Sequence, residues 1–280
     1  RCDRCNPDRP SGHGGPGARP GYRDTPGVTG EAYFAGLSLG ALAYALVAVF
    51  VAAFVRGYSG FGLSALIVTS LAIVIPPAEI VPMAILLEVA ASLGVMRQIW
   101  RDVAWRETGV LMAGACLGTP LGITLLIALP ADTMRAIIAL TVLAASIGLW
   151  FGLRFRGLEC RPALLGTGVV SGMAQGAAAV GGLPLVLYFL SVSSPPAVIR
   201  ATLITYLLII SIYSLAVALW HDLVTFEVLL RTALLTLPLV FGIALGNHRF
   251  ISTSPTSFRH FALGLLMVLS VLGLMRALFG

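Results

Sequence analysis

One carboxylate, Glu88, stands in the middle of the apolar stretch V-P-M-A-I-L-L-E-V-A-A-S-L. If this stretch crosses a membrane, a charge at its centre costs about 2.5–3.5 kcal/mol on insertion scales, so the side chain should face the interior of a helix bundle. There Glu88 could bind and release a proton, which would suit proton coupling. It could instead form an ion pair with an arginine such as Arg56 or Arg200. The residues leave both alternatives open.

Two glycine-rich segments interrupt apolar runs: R-G-Y-S-G-F-G from Arg56 to Gly62, and Q-G-A-A-A-V-G-G from Gln175 to Gly182. Glycines free backbone N–H and C=O groups, which at membrane depth are tolerated only against a cavity or a ligand. Helix N-termini beside such breaks suit an anionic group. The alternative is that the glycines only allow close helix packing. The predicted substrate-binding residues of the two segments are Arg56, Gly57, Ser59, Gly60, Gly62, Gln175, Gly176, Gly181 and Gly182.

Two further features border these segments. Arg200 follows the pair Pro195-Pro196 and could hold an anion, or it could extend its charged end to the membrane interface. The spacing of Gly114, Gly118 and Gly122 is typical of close helix contact, and Gly242 and Gly246 repeat it. We therefore add Arg200 to the predicted binding residues and assign the second group to packing.

The two halves of the chain carry similar patterns of glycine and proline. Gly57 and Gly176 are 119 residues apart, as are Pro76 and Pro195, whereas Gly118 and Gly242 are 124 apart. The order of these matches is kept, which predicts a duplicated architecture with five apolar segments in each half. Matching glycine-interrupted segments in two halves point to a transporter's binding site. The predicted divisions are a disordered tail over 1–32, a first repeat over 33–157 and a second over 158–280.

Composition places the chain in a membrane. It is 58% hydrophobic and 11% charged, and its long segments are apolar on all sides. The net charge of +6 lies in short loops rather than in a patch, so nucleic acid is not an expected partner. The chain holds no H-E-x-x-H, G-x-S-x-G or P-loop motif, and its lone C-x-x-C lacks a second pair for zinc. We predict no enzymatic activity, no cofactor and no metal site.

Loop charges predict how the halves are oriented. Three loops are rich in cations, around Arg97–Arg106, Arg154–Arg161 and His248–His260, whereas the loop at His221 and Asp222 is not. Placing the cation-rich loops in the cytoplasm requires an odd number of crossings between Arg161 and His221. Inverted repeats satisfy this requirement, with each glycine-broken segment either spanning or re-entrant. A single broken helix would give parallel repeats and a weaker fit to the charges.

The glycine-broken first segment, the stretch P-P-A-E-I-V-P-M-A-I-L-L-E from Pro76 to Glu88 and the duplicated halves resemble the TauE/SafE family of sulfite and sulfonate exporters. The resemblance covers about residues 35 to 280. It implies an all-α polytopic bundle of about eight spans in two repeats, located in the bacterial inner membrane. It also implies a permease for sulfur-containing or organic anions.

These observations predict a gradient-driven secondary transporter that works by alternating access, with a small anion held between the two glycine breaks. Arg56 and Gln175 would contact the anion, and Glu88 would be the coupling or pairing group. The expected partners are this anion and the lipid bilayer. Two other classes remain as alternatives: an anion channel, and a membrane scaffold that transports nothing.

Overall fold

The computed structural model describes residues 33–34, 37–59, 62–152, 161–192, 195–250, 264 and 266–275. Helices account for nearly all of this part. Their bounds are α1 Leu39–Ser59, α2 Leu63–Leu71, α3 Pro77–Ile99, α4 Trp105–Ala128, α5 Ala131–Trp150, α6 Arg161–Ala178, α7 Gly182–Ser191, α8 Pro196–Trp220, α9 Phe226–Phe250 and α10 Leu266–Met275. The fold is a helical bundle, as predicted. The tail over 1–32, predicted to be disordered, lies outside the described residues.

Six helices in the described part are long and apolar enough to cross a membrane: α1, α3, α4, α5, α8 and α9. The helices α2 and α7 are different. They have 9 and 10 residues, about 14 and 15 Å at 1.5 Å per residue, which is half the hydrocarbon thickness of about 30 Å. Each short helix contacts the helix that precedes it, α1 or α6. Tyr44 near the start of α1 donates its hydroxyl to the carbonyl oxygen of Ser70 near the end of α2, so α2 turns back along α1.

The first membrane helix begins later than the apolar pattern predicts. The pattern places its start at Tyr33, but α1 begins at Leu39. Two short strands precede it instead and pair antiparallel, β1 (Tyr33–Phe34) with β2 (Leu37–Ser38). Hydrophobicity alone does not distinguish these short extended strands from the first turns of a helix.

Proline pairs start the two central helices in the same way. Pro76 precedes α3 with φ −61° and ψ 141°, and Pro195 precedes α8 with φ −58° and ψ 138°. The second proline of each pair occupies the first helical turn, where its missing N–H removes no hydrogen bond. The helices α3 and α8 contact each other, and they are the most buried of the six candidate spans.

The helices α1 and α6 extend further into the two glycine-rich segments than the sequence pattern predicts. Arg56 and Gly57 are still helical in α1, and Gln175 and Gly176 are still helical in α6. The first break ends at Gly62, whose φ of 89° favours glycine. The second break follows Ala178, where Ala179 takes a left-handed φ of 55° and accepts the strain of a Cβ in that region.

Glycine faces bring α4 and α6 into backbone contact. A Cβ added at Gly118 would overlap the carbonyl oxygen of Val169 and lie 2.8 Å from the nitrogen of Met173. Gly114 faces Leu165 to Val169 and Gly122 faces Met173 to Ala177. Because the facing residue numbers rise together, α4 and α6 run in the same direction.

The same contact joins α1 and α9. An added Cβ at Gly242 would lie 2.7 Å from the carbonyl oxygen of Phe50 and 3.1 Å from the nitrogen of Phe54. Gly246 faces Phe54 and Gly57, so these two helices also run in the same direction. The predicted packing role of the glycines in α4 and α9 is confirmed.

Candidate functional site

A buried ion pair lies beside the first glycine break. The guanidinium of Arg56 pairs through Nη1 with Oε1 of Glu88, and Arg56 Nη2 donates to Ser92 Oγ at 2.8 Å. Ser64 Oγ donates to the other carboxylate oxygen of Glu88 at 3.2 Å. Arg56 is 5% exposed and Glu88 is 0% exposed. Of the two alternatives for Glu88, the structure shows the ion pair, and its partner is Arg56.

Neutral groups form the corresponding cluster beside the second break. Gln175 Nε2 donates to Ser211 Oγ at 3.2 Å, and the backbone N–H of Gly181 donates to Gln175 Oε1 at 3.0 Å. Ser171 Oγ donates to the carbonyl oxygen of Gly181 at 2.6 Å, and it accepts from Tyr206 OH at 2.9 Å. Gln175 is fully buried. The polar groups around the second glycine-rich segment thus satisfy one another's hydrogen bonds.

One hydrogen bond occurs in both clusters. Arg56 bonds Ser92 and Gln175 bonds Ser211, and each pair is shifted by the 119 residues that separate the two proline pairs. Glu88 has Leu207 at the position 119 residues later. The first cluster therefore carries a charge pair where the second carries an amide and a leucine. Sequence reasoning missed both serines, although the 119-residue spacing could have found them.

A cavity of about 540 Å³ reaches the first cluster. Arg56, Gly57 and Arg200 line it, together with Asp102 and apolar side chains of α3, α8 and α9. Arg200 is half-buried near the start of α8. The cavity thus brings together two predicted arginines from distant parts of the chain, one of them neutralised by Glu88.

The other predicted binding residues that the structure describes lie at or near the ends of α1, α6 and α7. Gly176 packs against Thr119, and an added Cβ at Gly181 would lie 2.9 Å from Gln175 Oε1. Gly182 begins α7 against the side chain of Leu207. Ser59 is the last residue of α1, while Gly60 lies outside the described residues. Among the described residues, the cavity lining includes Arg56 and Gly57 of the first glycine-rich segment and none of the predicted residues of the second.

The cavity has the chemistry of an anion site. Guanidinium groups present several N–H donors in a planar fork that matches the oxygens of carboxylates and related oxyanions. Arg56, which is paired with Glu88, and Arg200 both bring guanidinium groups to the lining of this cavity. The apolar walls lower the local dielectric and strengthen the attraction of these groups for an anion.

Comparison with known proteins gives one result. The family model described as sulfite exporter TauE/SafE matches residues 45–273. The chain belongs to this family. The match includes both clusters and every described residue of the cavity, so the site lies within the part of the chain that defines the TauE/SafE family. The predicted family is confirmed, and a multi-pass membrane transporter follows from it. No curated protein and no solved structure matches the chain.

Proposed function

We propose that the protein is a secondary transporter that moves a small sulfur-containing or organic anion through the cavity between α1, α3, α8 and α9. The observation that carries the proposal is the joint presence of Arg56 and Arg200 on this cavity. Arg200 supplies the attraction, and Arg56 supplies further N–H donors held in place by Glu88 and Ser92. Transport is driven by a gradient.

Helix directions support inverted repeats. The helices α3 and α4 are joined by the short turn Trp100–Asp102 and run in opposite directions, and the α1–α2 hairpin leaves α1 running as α3 does. The first and fourth helices of the first half are thus antiparallel. Because α1 runs parallel to α9 and α4 runs parallel to α6, the second half has the opposite orientation. The pattern fits about eight spans with α1–α2 and α6–α7 as broken or re-entrant units, and it suits alternating access.

The cavity lies toward the end of α3 that leads to Arg97 and Arg101. Val95, Ile99 and Asp102 are among its lining residues. The positive-inside rule assigns cation-rich loops to the cytoplasm, so we infer that the cavity opens toward the cytoplasm. An inner membrane of a bacterium is the location that the family resemblance supports. A solute could enter from the cell, which fits export.

A ligand screen tests the proposal. Purified protein would be heated with sulfite, thiosulfate, taurine or sulfoacetate, since a ligand that binds the folded state raises the melting temperature. We expect stabilisation by at least one of them, and uptake of that anion into proteoliposomes. Stabilisation by none of the four would favour a scaffold, and conductance without saturation would favour a channel.

Arginine substitutions locate the site. A charge-assisted hydrogen bond contributes about 1.5–3 kcal/mol, so Arg200→Gln should weaken binding of the stabilising anion by about 10- to 100-fold. Arg135→Gln is the matched control, because Arg135 bonds Ala72 and Asp132 away from the cavity. If Arg56→Ala, Glu88→Gln and Arg200→Gln all left uptake unchanged, the site would be elsewhere.

A further inference from the structure

Two walls of the cavity, on α3 and α9, have counterparts in the other half of the chain. The 119-residue shift that relates Ser92 to Ser211 carries Gly94 to Tyr213 and Val95 to Ser214. The 124-residue shift that relates Gly118 to Gly242 connects Cys116 with Val240 and Thr119 with Ile243. Gly94, Val95, Val240 and Ile243 all line the cavity. Their counterparts lie on α8 and α4, which contact each other.

A tyrosine occupies the counterpart position, and its hydrogen bond lies at the exposed edge of the contact between α8 and α4. Tyr213 OH donates to the carbonyl oxygen of Cys116 at 3.2 Å and so bridges α8 to α4. Gly94 stands at the same place in the first half, and a Cβ added there meets nothing within 4 Å. One half therefore has empty space where the other has a phenol ring and a hydrogen bond.

On the same two helices, two hydroxyl groups have no hydrogen-bond partner among the described residues: Thr119 Oγ1 on α4 and Ser214 Oγ on α8. Both residues are 0% exposed. A buried polar group left unsatisfied costs about 1–3 kcal/mol, and such groups in a folded protein call for an explanation. Their counterparts, Ile243 and Val95, are apolar. An open form of this position would give both hydroxyls water or a solute to bind.

We propose that Thr119, Ser214 and Tyr213 form the second face of the transport site, which binds a small oxyanion through neutral O–H donors and is closed here by Tyr213. The inference rests on the proposed transport function. It adds the position of the opposite gate and the kind of group that receives the anion there. Opening breaks the Tyr213–Cys116 hydrogen bond, while Gly94 and Val240 approach each other on the other side.

The two faces differ in charge. Arginines line the open cavity, whereas hydroxyls and the amide of Gln175 occupy the counterpart. Hydrogen bonds from neutral donors to an anion are weaker than those from guanidinium groups. An anion therefore binds more tightly on the arginine side and leaves more readily on the hydroxyl side.

Cysteine accessibility tests the gate without any substrate. Cys2, Cys5, Cys116 and Cys160 are first replaced by alanine, which keeps the carbonyl of residue 116. In this background, detergent-purified Val95→Cys should react quickly with a charged methanethiosulfonate reagent. Ser214→Cys should react at least ten times more slowly, because Ser214 is fully buried in this form whereas Val95 is partly exposed on the open cavity.

Adding Tyr213→Ala should raise the reaction rate of Ser214→Cys at least tenfold. Ile212→Ala is the matched control, since Ile212 is the neighbouring residue of α8 and is 50% exposed; it should leave the rate unchanged. Tyr213→Phe keeps the ring and loses the hydrogen bond, and it should give an intermediate rate. A monodisperse peak on size-exclusion chromatography verifies the fold of each variant.

The reciprocal change closes the open side. Gly94→Tyr should slow the reaction of Val95→Cys at least tenfold, whereas Gly94→Ala should not. The proposal is overturned if Ser214→Cys reacts as fast as Val95→Cys at the outset, if Ile212→Ala accelerates it as much as Tyr213→Ala, or if folded Tyr213→Ala and Tyr213→Phe variants both stay unreactive. An absence of anion transport would contradict the proposed function, yet it would leave these labelling rates as they are.

Discussion

Arg56 and Glu88 show how a charge can be placed inside a membrane bundle at small net cost. Each is paired with the other and bonded to a serine, Ser92 for the arginine and Ser64 for the carboxylate. Removing one partner of a buried pair is strongly destabilising, because the remaining charge stays uncompensated, whereas replacing both partners can be nearly neutral. The second half of the chain has the replaced form, with Gln175 and Leu207 at these positions.

This comparison yields a stability prediction. Glu88→Ala should destabilise the protein by about 3–5 kcal/mol, since Arg56 is left without its counter-charge. The double variant Arg56→Gln/Glu88→Leu copies the second half and should recover most of that loss. Melting temperatures in detergent would measure both effects.

The double variant should also show a weaker anion-dependent stabilisation, because one of the two guanidinium groups of the cavity is gone. A double variant that is less stable than Glu88→Ala would show that the two halves are not interchangeable at this position.

The sequence predicted part of this residue-scale picture. The isolation of Glu88 in an apolar stretch was enough to place it in the interior, and an arginine partner was one of the two alternatives that the sequence left open. Choosing between Arg56 and Arg200 required the geometry of three helices. Ser92 and Ser211 resemble any other small residue in an apolar helix, so only their spacing marks them.

At the scale of the helices, glycine determines how closely neighbours pack. The face of α4 at Gly114, Gly118 and Gly122 meets the face of α6 at Gly168, Gly172 and Gly176, so that backbone touches backbone. The four-residue spacing of one face was recognisable in the sequence. The partner helix was not, because the glycines at 168 and 172 were not connected with those of α4.

The glycines of α4 differ in what they contact. Substituting them by alanine can therefore distinguish the effect of helix packing on stability from the effect of helix propensity. Gly118→Ala should separate α4 from α6 and lower the melting temperature strongly, since the added Cβ would meet backbone atoms that cannot move aside. Gly109→Ala in the same helix meets nothing within 4 Å and should gain up to about 1 kcal/mol of helix propensity.

Detergent melting curves of the two variants provide the comparison. Equal melting temperatures for Gly118→Ala and Gly109→Ala would contradict close backbone packing between α4 and α6.

The glycine breaks also show why helix ends are difficult to predict. Gly57 and Gly176 are next to polar residues and resemble the start of a loop. They remain helical because each lies on a face packed against another helix, Gly57 near Gly246 and Gly176 against Thr119. Tertiary packing here overrides the low helix propensity of glycine.

At the scale of the whole molecule, each half completes the other. The first helix of each half lies against the fourth helix of the opposite half, α1 with α9 and α6 with α4. The duplication and the loop charges predict two related halves of opposite orientation. They could not show this exchange of partners, because hydrophobicity in a bilayer does not specify which helices touch.

The exchange predicts that neither half folds alone. Residues 1–157 or 158–280 produced separately should aggregate or be degraded, since α1 or α6 would expose a glycine face that lacks its partner. The two halves produced together should co-purify as one complex. Size-exclusion chromatography of each half, of the pair and of the intact chain would measure this outcome.

A monodisperse, thermally stable first half would contradict the prediction. It would mean that α1 finds sufficient packing against α2 and α3 alone.

The contact between α1 and α9 can form only late in translation. Gly57 enters the membrane roughly 190 residues before Gly246, a delay of about 10–40 s at usual rates of translation. Through that interval the glycine face of α1 is open to lipid or to the insertion machinery. Glu88 follows Arg56 after only 32 residues, so the nascent chain can neutralise its buried charge long before its helices find their final neighbours.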